Sequence, residues 1–180
     1  MRPAIGLSRR SALSLGACAA VTGCGFQPIY MRTASGEPGP AQRELATVNV
    51  AIIPDRPGQL LRQALQERFG SDAGDVAARY KLAVSYSIAG QGISILQSSI
   101  ATRVRMIGTA NWTLTGVDGT PMVTSGSAKA VDGYDILDQQ YFAADLSTEQ
   151  TQKRLANAVA DQIALQLAVF FRRRAAVASR

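Results

Sequence analysis

Arg79-Tyr80-Lys81-Leu82-Ala83-Val84-Ser85-Tyr86-Ser87-Ile88 alternates without a break. Tyr80, Leu82, Val84, Tyr86 and Ile88 fall on one side of an extended chain, and Lys81, Ala83, Ser85 and Ser87 on the other. Successive side chains of a strand point to opposite faces, so this pattern predicts a strand with one buried and one wet face. Gly90-Gln91-Gly92 then reads as a loop, and a longer alternation follows it. There Val104, Met106, Gly108, Ala110, Trp112 and Leu114 share one face, opposite Arg103, Arg105, Thr109, Asn111 and Thr113. Asp118-Gly119 is a strong hairpin signal and returns the chain into a further strand over residues 122–131.

Working outward, residues 47–53 are β-branched and apolar and stop at Pro54, which predicts a first strand. Pro57 opens a helix, where a proline costs no hydrogen bond, and Gly70 closes it. Its buried stripe is Leu60 or Leu61, Ala64 or Leu65, and Phe69. A last helix is expected from Ser147, where Ser147 and Gln150 fit a capping box. Leu155, Val159, Ile163, Leu167 and Phe170 or Phe171 give it an apolar stripe, and Arg172, Arg173 and Arg174 close it at the end where the helix dipole favours cations. The order β-α-β-β-β-α predicts an α+β fold: a four-stranded, largely antiparallel or mixed sheet with two helices packed on one face. It occupies residues 46–174 as a single domain, with 175–180 as a flexible tail.

Composition narrows the chemistry. The chain has 180 residues, 19 Lys and Arg against 13 Asp and Glu, two cysteines and no histidine. Without imidazole no Ser-His-Asp or Cys-His centre can be built, nor a histidine metal site. Aromatic residues make up 6% of the chain, too few for a base-stacking nucleic-acid surface. Asp132, Asp135 and Asp138 come nearest to an acidic cluster, but their spacing and Gly133 read as a polar loop rather than a metal cage. No catalytic constellation and no metal site is expected, and nucleic acid is not an expected partner.

Residues 1–23 do not belong to the fold. Arg2, Arg9 and Arg10 form a positive start, residues 11–23 carry no charge, and small residues precede Cys24. This is the layout of a secretory signal peptide. Val21-Thr22-Gly23-Cys24 resembles a bacterial lipobox, in which the cysteine is acylated and the peptide is cut before it. Leu15-Gly16-Ala17-Cys18 competes, but leaves only residues 11–15 as the inserting core, short of the usual length of about 7–15 residues. Ser8-Arg9-Arg10-Ser11 also resembles a twin-arginine signal; Ala12 stands where the usual aromatic would be, and a plain basic start is the alternative. Losing residues 1–23 removes three arginines and no acid, lowering the net charge from +6 to +3. Residues 24–45 read as an acylated cysteine and tether rich in Gly, Pro, Ser and Thr.

Two features are expected to carry function. Cys24 is the lipid anchor, with covalent acyl groups in place of any cofactor. Arg103 and Arg105, with Lys129 on the neighbouring strand, are the expected contact for a phosphate-bearing ligand. Residues two apart on a strand point the same way about 6.6–6.8 Å apart. Two guanidiniums at that spacing each suit one phosphate. An ordinary solvated face or a salt bridge to a partner is the other reading of the same residues.

Cys24-Gly25-Phe26-Gln27-Pro28-Ile29-Tyr30 resembles the opening of the LptE family of lipopolysaccharide-assembly lipoproteins. Ala101-Thr102-Arg103 at the start of a long strand, Trp112-Thr113-Leu114 before a glycine turn, and residues 141–144 before an Ala-rich helix continue the likeness. The resemblance implies a lipoprotein held at the periplasmic face of the outer membrane. It also implies a partner, an outer-membrane β-barrel lipopolysaccharide-assembly protein of the LptD type, which the lipoprotein plugs, and makes lipopolysaccharide the phosphate-bearing ligand expected at Arg103, Arg105 and Lys129. Gly25 rather than Asp after the anchor agrees with sorting to the outer membrane. Two other readings are an auxiliary lipoprotein of an ABC-type lipid transporter and a periplasmic enzyme.

Overall fold

The computed structural model describes residues 38–70, 76–95, 101–117, 121–135 and 141–178, except the side chains of 94–95, 101–102 and 141–144. Cys18, Cys24, the signal segment, Asp118-Gly119 and Asp138 lie outside the described residues. In chain order the elements are α1 (Pro40–Ala46), β1 (Val48–Val50), α2 (Asp55–Phe69), β2 (Tyr80–Ile95), β3 (Ala101–Gly116), β4 (Thr124–Asp135) and α3 (Tyr141–Ala178). The strands form one sheet in the order β1-β2-β3-β4. β1 runs parallel to β2, and the other neighbours are antiparallel, so the expected α+β mixed sheet is what forms.

The alternations place the core where they predict it. Tyr80, Leu82 and Val84 are buried on β2 and Met106, Ala110, Trp112 and Leu114 on β3. Lys81, Ala83, Ser85 and Ser87 are exposed. Opposite this apolar face lie Leu61, Leu65 and Phe69 of α2 and Leu155, Val159, Ile163 and Leu167 of α3. Each such aliphatic side chain withdrawn from water contributes about 1.5–3 kcal/mol. Ala156, Ala160, Ala164 and Ala168 are fully buried beside the stripe of α3, so its contact face is wider than the large residues alone suggest. Gly70 ends α2 in the left-handed conformation, its N–H donating to Gln66 O at 3.0 Å.

Five boundaries differ from the sequence reading. A third helix, α1, forms within the stretch read as tether, burying Ala41 and Leu45. β1 spans three residues rather than 47–53, because the chain turns at Pro54 and at Asp55 (φ 66°) into α2. Gly90-Gln91-Gly92 is no loop: it continues β2, paired with Met106, Arg105 and Val104. The weak strand preference of glycine is overridden by the partner strand opposite. Asp132 and Asp135 likewise lie in β4, paired with Met106 and Arg103, rather than in a loop. Finally, α3 starts at Tyr141 and ends at Ala178. Ser147 sits inside it, its carbonyl accepting from Thr151 Oγ1 at 2.7 Å instead of capping an end. No glycine or proline follows Gly133 in the sequence, so Ala and Leu propagate the helix past both expected ends.

Candidate partner-facing and lipid-facing sheet face

Among the described residues, helices cover only one face of the sheet. The other is built from the odd-numbered residues of β2, β3 and β4, which strand pairing lays side by side. It is mostly small and polar: Ala83, Ser85 and Ser87 stand beside Thr113, Asn111 and Thr109, and these beside Ser125, Ser127 and Lys129. Among the described residues of these strands it carries four cations, Lys81, Arg103, Arg105 and Lys129, and one anion, Asp135. The face is thus largely polar with a cationic excess, interrupted by the neighbouring Ile107 and Val131.

Arg103 and Arg105 lie on it together, both exposed, near the end of β3 that carries the β2–β3 connection. Arg103 Nε stands 3.7 Å from Asp135 Oδ1 across the ladder, with both side chains well exposed. An ion pair so open to water is worth about 0–1 kcal/mol, so Arg103 can exchange it for another anion at little cost. Arg105 lies between Gln91 and Gly133, neither of them charged. Lys129 shares the face but pairs with Thr109, four residues along β3 from Arg105 and therefore about 13 Å away. The register thus sets Asp135 beside Arg103 and leaves Lys129 apart from both arginines. The spacing of Asp135 in the sequence reads as a loop, and only the β3–β4 register puts it beside Arg103.

A second group was not legible in the sequence. Arg154 of α3 donates from Nε to Asp132 Oδ2 at 2.6 Å and from Nη2 to Thr151 Oγ1 at 3.0 Å, tying β4 to the helix. The hydrogen bond from Arg154 holds the Asp132 carboxyl below its usual range, with the Gly133 N–H assisting and partial burial opposing. On the same helix Gln162 donates to Lys129 O at 3.0 Å and accepts from Lys129 N–H at 3.1 Å. Gln166 donates to Ser127 O at 2.9 Å and accepts from the Trp112 indole at 3.1 Å. Two glutamines thereby occupy the outer edge of β4.

Of the arginines expected to close α3, Arg174 folds back and donates to the Tyr80 hydroxyl at 3.1 Å. With Glu44, Arg79 and Phe171 they line a cavity of about 160 Å³. Tyr86 carries a different signature. Among the described residues its hydroxyl is buried without a partner, and burial pushes its pKa up to about 12. Among the described residues no group of three acidic or cysteine side chains gathers to hold a metal, and no helix is long and apolar enough to cross a membrane.

Comparison with known proteins agrees with this architecture. The family model for lipopolysaccharide assembly, LptE, matches residues 45–167. A crystal structure of a putative lipoprotein from Caulobacter crescentus CB15 is similar at 23% identity and a TM-score of 0.65, covering 76% of this chain and 98% of that one. Rare lipoprotein B from Shewanella oneidensis shares the fold at 14% identity and a TM-score of 0.51, with 68% and 92% covered. Uncharacterized lipoprotein B from Nitrosomonas europaea does so at 14% and 0.51, with 68% and 81% covered. A search of curated protein sequences gives no match. The family match runs from the end of α1 through most of α3 and takes in the whole sheet, so the chain belongs to the LptE family of lipopolysaccharide-assembly proteins.

Proposed function

We propose that this protein is a non-catalytic outer-membrane lipoprotein, anchored by acyl groups on Cys24, that seats in a β-barrel of the LptD type. Together they place lipopolysaccharide in the outer leaflet. Beyond the family assignment, the observation that carries this reading is the uncovered sheet face, with four cations against one anion. A polar face with few charges suits a protein partner, and its cationic excess suits phosphates. Arg103 and Arg105 are the proposed glycolipid contact; Lys129 is a separate cation farther along the same face. Such an anchor would be firm: one acyl chain binds membranes at about 10⁴ M⁻¹, whereas two or three hold a protein there for good.

The test is to extract the outer membrane in mild detergent, capture the lipoprotein by a C-terminal tag, and identify what co-purifies in stoichiometric amount. A single large β-barrel protein supports the reading. An ABC-transporter component transfers the case to an auxiliary transport lipoprotein, and no partner refutes both. In the captured complex, Arg103→Ala with Arg105→Ala should lose lipopolysaccharide crosslinking from this face while the barrel still co-purifies. Unchanged crosslinking would exclude a glycolipid role for the pair.

A further inference from the structure

The sheet has three stretches of outer edge, and they are treated differently. On β4 the edge is taken by Gln162 and Gln166. On β1 Arg62 Nε reaches Val50 O at 3.3 Å. The third stretch belongs to β2. β1 is only three residues long, and its side of β2 receives a last backbone bond where Ala51 N–H donates to Leu82 O at 2.9 Å. β2 runs on to Ile95, and among the described residues it is paired there with β3 on its other side alone.

The groups at this edge follow from alternation. Because the Leu82 carbonyl points at β1, so do the N–H and C=O of every second residue in an unbroken strand. The β2–β3 register is unbroken from Tyr80 to Gly92. Val84, Tyr86, Ile88 and Gly90 therefore present both backbone groups to the open side, and no backbone bond from another described segment meets them. Exposed strand edges are normally blunted by charge, proline or a short strand. Here none of these is present: from Leu82 to Thr102 the sequence holds no charged residue and no proline. Gly90 and Gly92 add no bulk, and Ile93 is 56% exposed. An edge left open beside one plugged by two glutamines is complementary to one thing, the backbone of another extended chain.

We propose that the open edge of β2 over residues 84–90 receives an extended, uncharged strand of the barrel partner, which joins the sheet by backbone hydrogen bonding. This rests on the barrel reading above. Gly90→Pro isolates the edge. It deletes an outward N–H that makes no bond to β3, and Gly90 does not have a positive φ that proline could not adopt. Gly90→Ala is the control, because its Cβ meets only Val104 Cγ1 at 3.8 Å and its N–H is kept.

The experiment measures residue-resolved amide exchange in the detergent-extracted lipoprotein, free and in complex with the barrel, and capture of the barrel by both variants. Expected are slowing of about tenfold or more at Val84, Tyr86, Ile88 and Gly90 in the complex, and about a tenfold drop in capture by Gly90→Pro but not Gly90→Ala. Continued protection of the Ser87 and Ala89 amides, which point at β3, establishes that the proline variant is folded. A barrel that co-purifies while the four amides exchange as in the free protein overturns the strand-addition proposal and leaves the function intact. Failure of the unaltered protein to capture a barrel overturns the function and this inference with it. Protection in the isolated lipoprotein that grows with its concentration assigns the edge to a second copy, and likewise overturns it.

Discussion

Gly126 pairs directly with Trp112, and the indole lies where a side chain would stand. A Cβ there would meet Trp112 Cζ2 at 2.6 Å and Gln166 Oε1 at 3.0 Å. Trp112 cannot back away without leaving its bond to Gln166. Gly126→Ala should therefore cost about 1–3 kcal/mol, measured as a lowered urea midpoint at unchanged slope. Gly108 is crowded in the same way by Tyr86, whose hydroxyl a Cβ would approach to 2.8 Å. Burial holds the Tyr86 phenol neutral up to about pH 12, while in the unfolded chain it ionises near its ordinary value of 10. The raised folded pKa makes its stabilising contribution complete below pH 10 and lost as the pH climbs from 10 to 12. Tyr86→Phe should flatten the alkaline fall in stability across that window, and should cost little at neutral pH because the hydroxyl it removes has no partner among the described residues. Urea titrations at pH 8 and at pH 11 give both values.

The long helix works at the scale of elements as a clasp. Its apolar stripe fills the core, and its flank closes the β4 edge through Gln162 and Gln166. Arg68 of α2 reaches the Asn157 carbonyl at 3.2 Å and the Asp161 carboxylate, so the two helices are also joined to each other. Replacing both glutamines by leucine keeps helix propensity and length but strips the edge of its partners. The double variant should lose about 1–3 kcal/mol and gain concentration-dependent association, read by light scattering. A variant that stays monomeric as its concentration is raised would show that the edge is guarded by other means.

For the whole molecule, anchor and fold are separable. Cys24 lies outside the described residues, sixteen positions before the helix α1 begins at Pro40. Cys24→Ala should leave the thermal unfolding midpoint of the domain unchanged. It should also release the protein from the membrane fraction in cells lacking the barrel partner. Retention there would mean that something other than acyl chains holds it.

The sequence by itself determined the alternating strands, the apolar stripes of both long helices and the α+β class. Each follows from a periodicity of 2 or 3.6 that a single segment carries within itself. It also singled out Arg103 and Arg105 as neighbours, since two residues apart on a strand is a local relation. Only the tertiary structure decided where elements stop and which distant residues meet. Gly90 and Gly92 belong to β2 because β3 lies opposite them, and Ser147 yields its capping role because nothing upstream interrupts the helix. Lys129 parts from Arg105, and Asp135 joins Arg103, through the β3–β4 register, which turn geometry and core packing set together. Arg154 with Asp132 and Gln166 with Trp112 are pairs separated by 22 and 54 residues. No local pattern encodes such pairs, because their energy exists only once the chain has closed on itself.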